Sequence, residues 1–170
     1  MNRTVVNILV VLGAVILQIG VAPYISIGGV VPNFLLLAAV TLAMVQGPTA
    51  GCAAGFACGL LFDLLGSGPV GPMAVVLAAT GYIAGLLATN LFAEGWLLPL
   101  SVLALASLGA ELTYALLLTL FGTPIPFFRS LFTLVIPGAV YNTALALLAY
   151  PFLARFLRRE RPVAEFRRLA

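Results

Sequence analysis

The stretch Gly51-Cys-Ala-Ala-Gly55-Phe-Ala-Cys-Gly59-Leu-Leu-Phe-Asp63 decides the fold of this chain. Its three glycines recur every four residues, so on a helix they form one smooth stripe, and Asp63 follows on the same face. In lipid, glycine stripes allow the backbones of neighbouring helices to touch. Downstream, Gly81 and Gly85 repeat the spacing. We expect these stripes to pack helices of the same chain, and the alternative is a partner-binding surface.

The composition excludes an ordinary soluble domain. Of 170 residues, 63% are hydrophobic and 8% are charged, and the mean hydropathy is +1.20. A chain this short cannot hide so much apolar surface in a water-soluble core. The net charge of +3 does not indicate nucleic-acid binding, because eight of the thirteen charged residues lie within residues 155–168.

Hydropathy and breaker residues predict an all-α polytopic membrane protein, a six-helix transmembrane bundle over residues 1–154 followed by a basic tail, 155–170. Helices 2 and 3 form either two short spans or a re-entrant hairpin. The first apolar segment imitates a signal peptide, but the equally apolar sequence after it favours a retained span. The predicted helices are 4–22, 32–46, 48–65, 72–92, 96–121 and 131–154.

The arginines predict the orientation. Arg3 and the tail arginines place both ends on the cytoplasmic side of the membrane, which an even number of spans allows. The tail is expected to lie on an anionic lipid surface, where each basic group contributes roughly 1 kcal/mol. The residues assigned to this contact are Arg155, Arg158, Arg159 and Arg161.

Asp63 is unusual, because it lies in the last turn of its helix, where the helix dipole disfavours a negative charge. The predicted topology places it near the outer membrane interface. Solvation at that interface is one interpretation, and a specific contact with Arg129 or with a partner chain is the other.

Glu111 lies well inside the fifth predicted helix, where a carboxyl group must be neutral, paired or facing a polar cavity. Ser107 and Tyr114 share its helical face. Asn142, with Tyr141 and Gln18, is predicted to join Glu111 in one buried polar cluster. A neutral Glu111 hydrogen-bonded between helices is favoured over a functional carboxyl group.

The sequence predicts no catalytic, cofactor or metal site. The chain has no histidine, which is the commonest general base and metal ligand. Cys52 and Cys58 match no zinc or redox spacing, and Ser67 has no histidine to activate it. We therefore expect that the protein is not an enzyme.

The segment 32–85 resembles the rod shape-determining MreD family. The resemblance is carried by Pro32-Asn33-Phe34-Leu35-Leu36-Leu37, by Gly55-Phe56 with Gly59-Leu60-Leu61-Phe62-Asp63-Leu64, and by Pro69, Gly71 and Gly81-Tyr82. The remainder of the chain matches in length, hydropathy and basic tail. One departure is Asn33, which stands where an acidic residue is expected in many relatives.

The resemblance implies a non-catalytic scaffold of the cell-elongation machinery that helps to organise lateral peptidoglycan synthesis. Its implied partners are MreC, which has one membrane helix, and then MreB, RodA and an elongation-specific penicillin-binding transpeptidase. It also implies a fold similar to the substrate-binding subunits of energy-coupling-factor transporters. From this resemblance we expect the MreC helix to dock near helices 3 and 4.

Two other functions stay open at this point. The first is a substrate-binding subunit of a vitamin or small-molecule transporter, with Glu111, Asn142 and Asp63 as polar contacts. The second is a proton-coupled carrier that uses Glu111.

Overall fold

The computed structural model describes residues 3–90, 97–122 and 127–158, which form a bundle of antiparallel helices. The predicted third helix has the bounds expected for it, and the others differ by a few residues at their ends. Residues 127–130, which the prediction leaves between the last two helices, are helical. The elements are α1 (Arg3–Gly20), α2 (Phe34–Gln46), α3 (Pro48–Leu65), α4 (Pro72–Asn90), α5 (Leu97–Leu120), α6 (Phe127–Ser130), a π-helical turn (Leu131–Val135) and α7 (Ile136–Arg158).

Helix α2 is the centre of the bundle. It is apolar on all sides, and eleven of its thirteen residues are buried. It contacts α1, α3, α4, α5 and α7. A helix without a polar face must be covered all round by protein or lipid. Here protein covers most of it, which explains how a helix of only 13 residues is held inside a membrane domain.

Helices α3 and α4 make the closest contact in the bundle, and glycine is the reason. The Cα of Gly51 lies against Gly81, and the backbone at Gly55 lies against the Leu77 carbonyl group. At the two ends of this interface, Gly59 faces Met73 and Gly85 faces Pro48. A methyl group at Gly51, Gly55, Gly59, Gly81 or Gly85 would overlap atoms of the opposing helix. All five predicted glycines therefore lie in contacts within the chain.

The outer surface of the bundle is apolar, as a bilayer requires. Four helical segments are long and apolar enough to cross a membrane, namely 48–65, 72–90, 99–120 and 127–153. Helices α1 and α2 are apolar but shorter. Helix α1 exposes Val5, Ile8, Leu12 and Ile16. The chain is thus a helical membrane protein, while six complete crossings stay a prediction.

Gly55→Ala is expected to lower stability by about 1–3 kcal/mol, because the added methyl group overlaps the α4 backbone, which cannot move without repacking. Thermal unfolding of the detergent-purified protein measures this. The matched control is Gly109→Ala on α5, where no atom lies within 4 Å of the added methyl group. Equal midpoints for the two variants would contradict the α3–α4 packing.

Candidate functional site

The first turn of α4 is capped by a side chain from another helix. Gly71 precedes α4 and has no side chain with which to cap it, and Pro72 has no N–H group. Asp63, in the last turn of α3, accepts hydrogen bonds at Oδ2 from the backbone N–H groups of Gly71 (2.8 Å), Met73 (3.0 Å) and Ala74 (3.3 Å). One carboxyl oxygen thus satisfies the N–H groups that the start of a helix leaves without partners.

The solvation interpretation of Asp63 is wrong, because the side chain is 3% exposed. Among the described residues, Asp63 bonds to the α4 backbone and not to Arg129. A contact with a partner chain stays a prediction. The helix dipole explains the difference. The position is unfavourable with respect to the end of α3, but the same carboxyl group lies at the start of α4, where negative charge is stabilised.

The start of α2 is capped in a related way, by side chains from three helices. The N–H of Asn33 donates to Oδ1 of Asn142 on α7 at 2.8 Å, and the N–H of Phe34 donates to Oε1 of Gln18 on α1 at 2.8 Å. Asn33 itself accepts at Oδ1 from the N–H of Leu36 at 2.8 Å. Gln18 Nε2 also donates to the Pro32 carbonyl at 3.1 Å.

Asn142 extends this network to Glu111. Its Nδ2 donates to Oε1 of Glu111 at 3.2 Å, while its Oδ1 accepts from Asn33. Gly138, one turn before Asn142 on α7, lies beside the same carboxyl group, since a Cβ there would be 3.5 Å from Glu111 Cδ. Glu111 and Asn142, which the sequence predicts in one cluster, are thus hydrogen-bonded, and Asn142 also joins Glu111 to the start of α2, which the sequence did not predict.

The remaining residues of the expected cluster are placed around this network. Ser107 is 1% exposed and lies one turn before Glu111 on α5. Tyr114 is half-buried and packs edge-on against Phe62. The hydroxyl group of Tyr141 donates to the Ile25 carbonyl, tying the α1–α2 loop to α7. We call the end of the bundle where α2 and α4 begin the capped end.

The opposite end carries a different polar contact. Asn7 on α1 and Gln46 on α2 pair through two amide hydrogen bonds, 3.0 and 2.6 Å long. Of the arginines assigned to the membrane surface, Arg155 is exposed on α7, which extends to Arg158. Arg159 and Arg161 lie outside the described residues, so their membrane contact stays a prediction.

Two apolar grooves run along the outside of the bundle. The larger, about 530 Å³, lies between α1, α2 and α7, and small residues on each wall, Gly13, Ala38 and Ala149, keep it open. The smaller, about 430 Å³, lies between α4 and α5 and includes Gly109. Both are lined almost wholly by aliphatic and aromatic side chains. In the described part of the chain, no group of three or more His, Cys, Asp or Glu residues could hold a metal ion.

Sequence reasoning missed the role of Asn33 and the Asn7–Gln46 pair. Asn33 carried a usable signal, because asparagine directly before an apolar helix favours the N-cap position. Asn7 and Gln46 are 39 residues apart, and nothing in the local pattern of either helix indicates the other.

These features define a polytopic helical membrane protein whose polar groups serve to hold helix ends together. The family model described as rod shape-determining protein MreD matches residues 1–160, so the chain belongs to the MreD family. This family consists of structural, shape-determining membrane components. Neither the curated proteins nor the solved structures contain a significant match. The likeness to energy-coupling-factor subunits therefore stays a prediction.

Asp63→Ala is expected to destabilise the protein by at least about 1–3 kcal/mol, because three backbone N–H groups lose their acceptor in a water-poor environment. Asp63→Asn keeps one acceptor oxygen and should lie between Ala and the native residue. Thermal midpoints in detergent test this order. An alanine variant as stable as the native protein would contradict the capping role.

Asn142→Leu is expected to cost about 1–3 kcal/mol, since it leaves the Asn33 N–H and the Glu111 carboxyl group without their shared partner. The control is Asn90→Leu, because Asn90 is exposed and its side chain bonds, among the described residues, to the Leu86 carbonyl of its own helix. The same unfolding assay compares the two, and similar losses would refute a special role for Asn142.

Proposed function

We propose that this protein is a non-catalytic scaffold of the bacterial cell-elongation complex, and that it binds MreC and helps to organise lateral peptidoglycan synthesis. MreB, RodA and an elongation-specific penicillin-binding transpeptidase are its proposed further partners. In this proposal the protein lies in the inner membrane with both ends in the cytoplasm. The single observation that carries the proposal is the MreD family match over residues 1–160.

The use of the polar groups supports a scaffold. Asp63 Oδ2, Gln18 Oε1 and Asn142 Oδ1 accept hydrogen bonds from backbone N–H groups at helix starts, so these oxygens hold the bundle together. A protein whose task is to present a fixed surface to other membrane helices needs this kind of rigidity. The proposal therefore gives the buried polar residues a structural role and leaves partner binding to the outer surface.

The position of partner binding differs from the one first expected near helices 3 and 4. The glycine faces of α3 and α4 are closed by each other. We therefore propose that the single MreC helix docks in the groove between α1, α2 and α7. This groove is the larger of the two described, and Gly13, Ala14 and Ala38 let a helix backbone approach closely. Its nearly uniform apolar lining suits a membrane helix.

Gly13→Leu is expected to reduce co-purification of MreC at least tenfold, because the added side chain fills the proposed groove, where no atom lies within 4 Å of a Cβ. The matched control is Gly109→Leu, which fills the α4–α5 groove and should leave MreC bound. If only Gly109→Leu loses MreC, the proposed position is wrong and the α4–α5 groove is the docking site.

The scaffold role itself is tested in rod-shaped cells depleted of their own MreD. Expression of the native protein, together with its matching MreC, should restore the rod shape. If tagged protein inserts into the membrane but neither captures MreC nor restores shape, the proposed function is wrong. The transporter alternative stays a prediction, and tight vitamin binding by the purified protein would support it.

A further inference from the structure

The buried polar cluster at the capped end contains hydrogen-bonding groups that the protein does not satisfy by itself. Ser107 is 1% exposed and Asn33 is 3% exposed. Among the described residues, neither Ser107 Oγ nor Asn33 Nδ2 has a hydrogen-bond partner. A buried polar group without a partner costs about 1–3 kcal/mol, so two in one cluster require an explanation.

Ser107 differs from the threonines of the same bundle. The hydroxyl groups of Thr41, Thr119 and Thr143 each donate to the carbonyl four residues earlier, at 2.8, 2.9 and 2.7 Å. This local bond is how hydroxyl groups are normally satisfied inside membrane helices. Ser107 does not make it. Its hydroxyl group remains available one turn from the Glu111 carboxyl group.

Glu111 is also under-satisfied for its position. Within the described residues, its side chain accepts the 3.2 Å hydrogen bond from Asn142 Nδ2. No ion pair to it is found within the described ranges. Asn142 is itself bonded to the Asn33 N–H, which brings Asn33 to the same network. Asn33, Asn142 and Glu111 thus belong to one network, and the buried Ser107 lies one turn from Glu111 on the same helix.

We propose that this region is a binding site for ordered water, held by Ser107, Glu111 and the side-chain amide of Asn33. The chemistry selects water. Asn33 Nδ2 is a donor and needs an acceptor, which a metal cation cannot supply. A water molecule accepts from the amide and donates to both the carboxyl and hydroxyl oxygens, giving the three bonds typical of buried water. This site is independent of the proposed scaffold role.

The direction in which Ser107→Ala changes the unfolding midpoint tests the proposal. A dry, unpartnered hydroxyl group is lost without penalty, so Ser107→Ala would then leave the unfolding midpoint unchanged or raise it. If the hydroxyl group holds water, Ser107→Ala should lower the midpoint by about 2–4 °C in a protein of this size. Ser101→Ala, an exposed serine on the same helix, is the matched control and should change little.

Combining Ser107→Ala with substitutions of Glu111 separates water binding from other causes of a lower unfolding midpoint. In Glu111→Leu the water loses its carboxyl partner, so adding Ser107→Ala should no longer lower the midpoint. In Glu111→Gln an acceptor oxygen remains, and Ser107→Ala should again be destabilising. If Glu111→Leu does not fold, the single Ser107→Ala variant and its effect in the Gln background still decide. A neutral or stabilising Ser107→Ala, or a loss in the Leu background equal to that in the native protein, would overturn the proposal.

Discussion

The structure depends on one constraint, which is that backbone N–H groups at helix starts must find acceptors where water is scarce. At α4 a single oxygen of Asp63 meets this need, and at α2 the task is divided between Gln18, Asn33 and Asn142. Each of these solutions ties one helix to another. Capping and tertiary packing are therefore the same set of interactions at this end of the bundle.

Glycine contact between α3 and α4 acts together with this capping. The backbones of the two helices are in contact from Gly59 to Gly85, which sets the distance between their axes. Asp63 then fixes how far one helix is shifted along the other, because it bonds to the start of α4. Without the close approach, the carboxyl group would not reach the α4 backbone. The α3–α4 pair is consequently the most strongly determined part of the fold, and α2 packs against both of its members.

This arrangement limits how a member of the MreD family can meet partners. Asp63 and Asn142 are buried and accept from backbone N–H groups, and the outer surface of the bundle is mostly apolar. Shape and small residues must then provide specificity, as in the groove between α1, α2 and α7. A rigid bundle with such a groove suits a protein that holds a partner in place.

The sequence by itself determined the membrane class, the helical periodicity and the approximate bounds of most helices, because hydropathy and breaker residues act locally. It also determined that Gly51, Gly55 and Gly59 would pack closely, and the family motifs predicted membership that the match over residues 1–160 confirmed. Only the tertiary structure decided the role of Asp63. Its partners begin eight residues further along the chain, beyond a Gly/Pro turn whose path no periodicity specifies. The same holds for Asn33 and Asn142, 109 residues apart, because helix packing alone brings their hydrogen-bonding groups together.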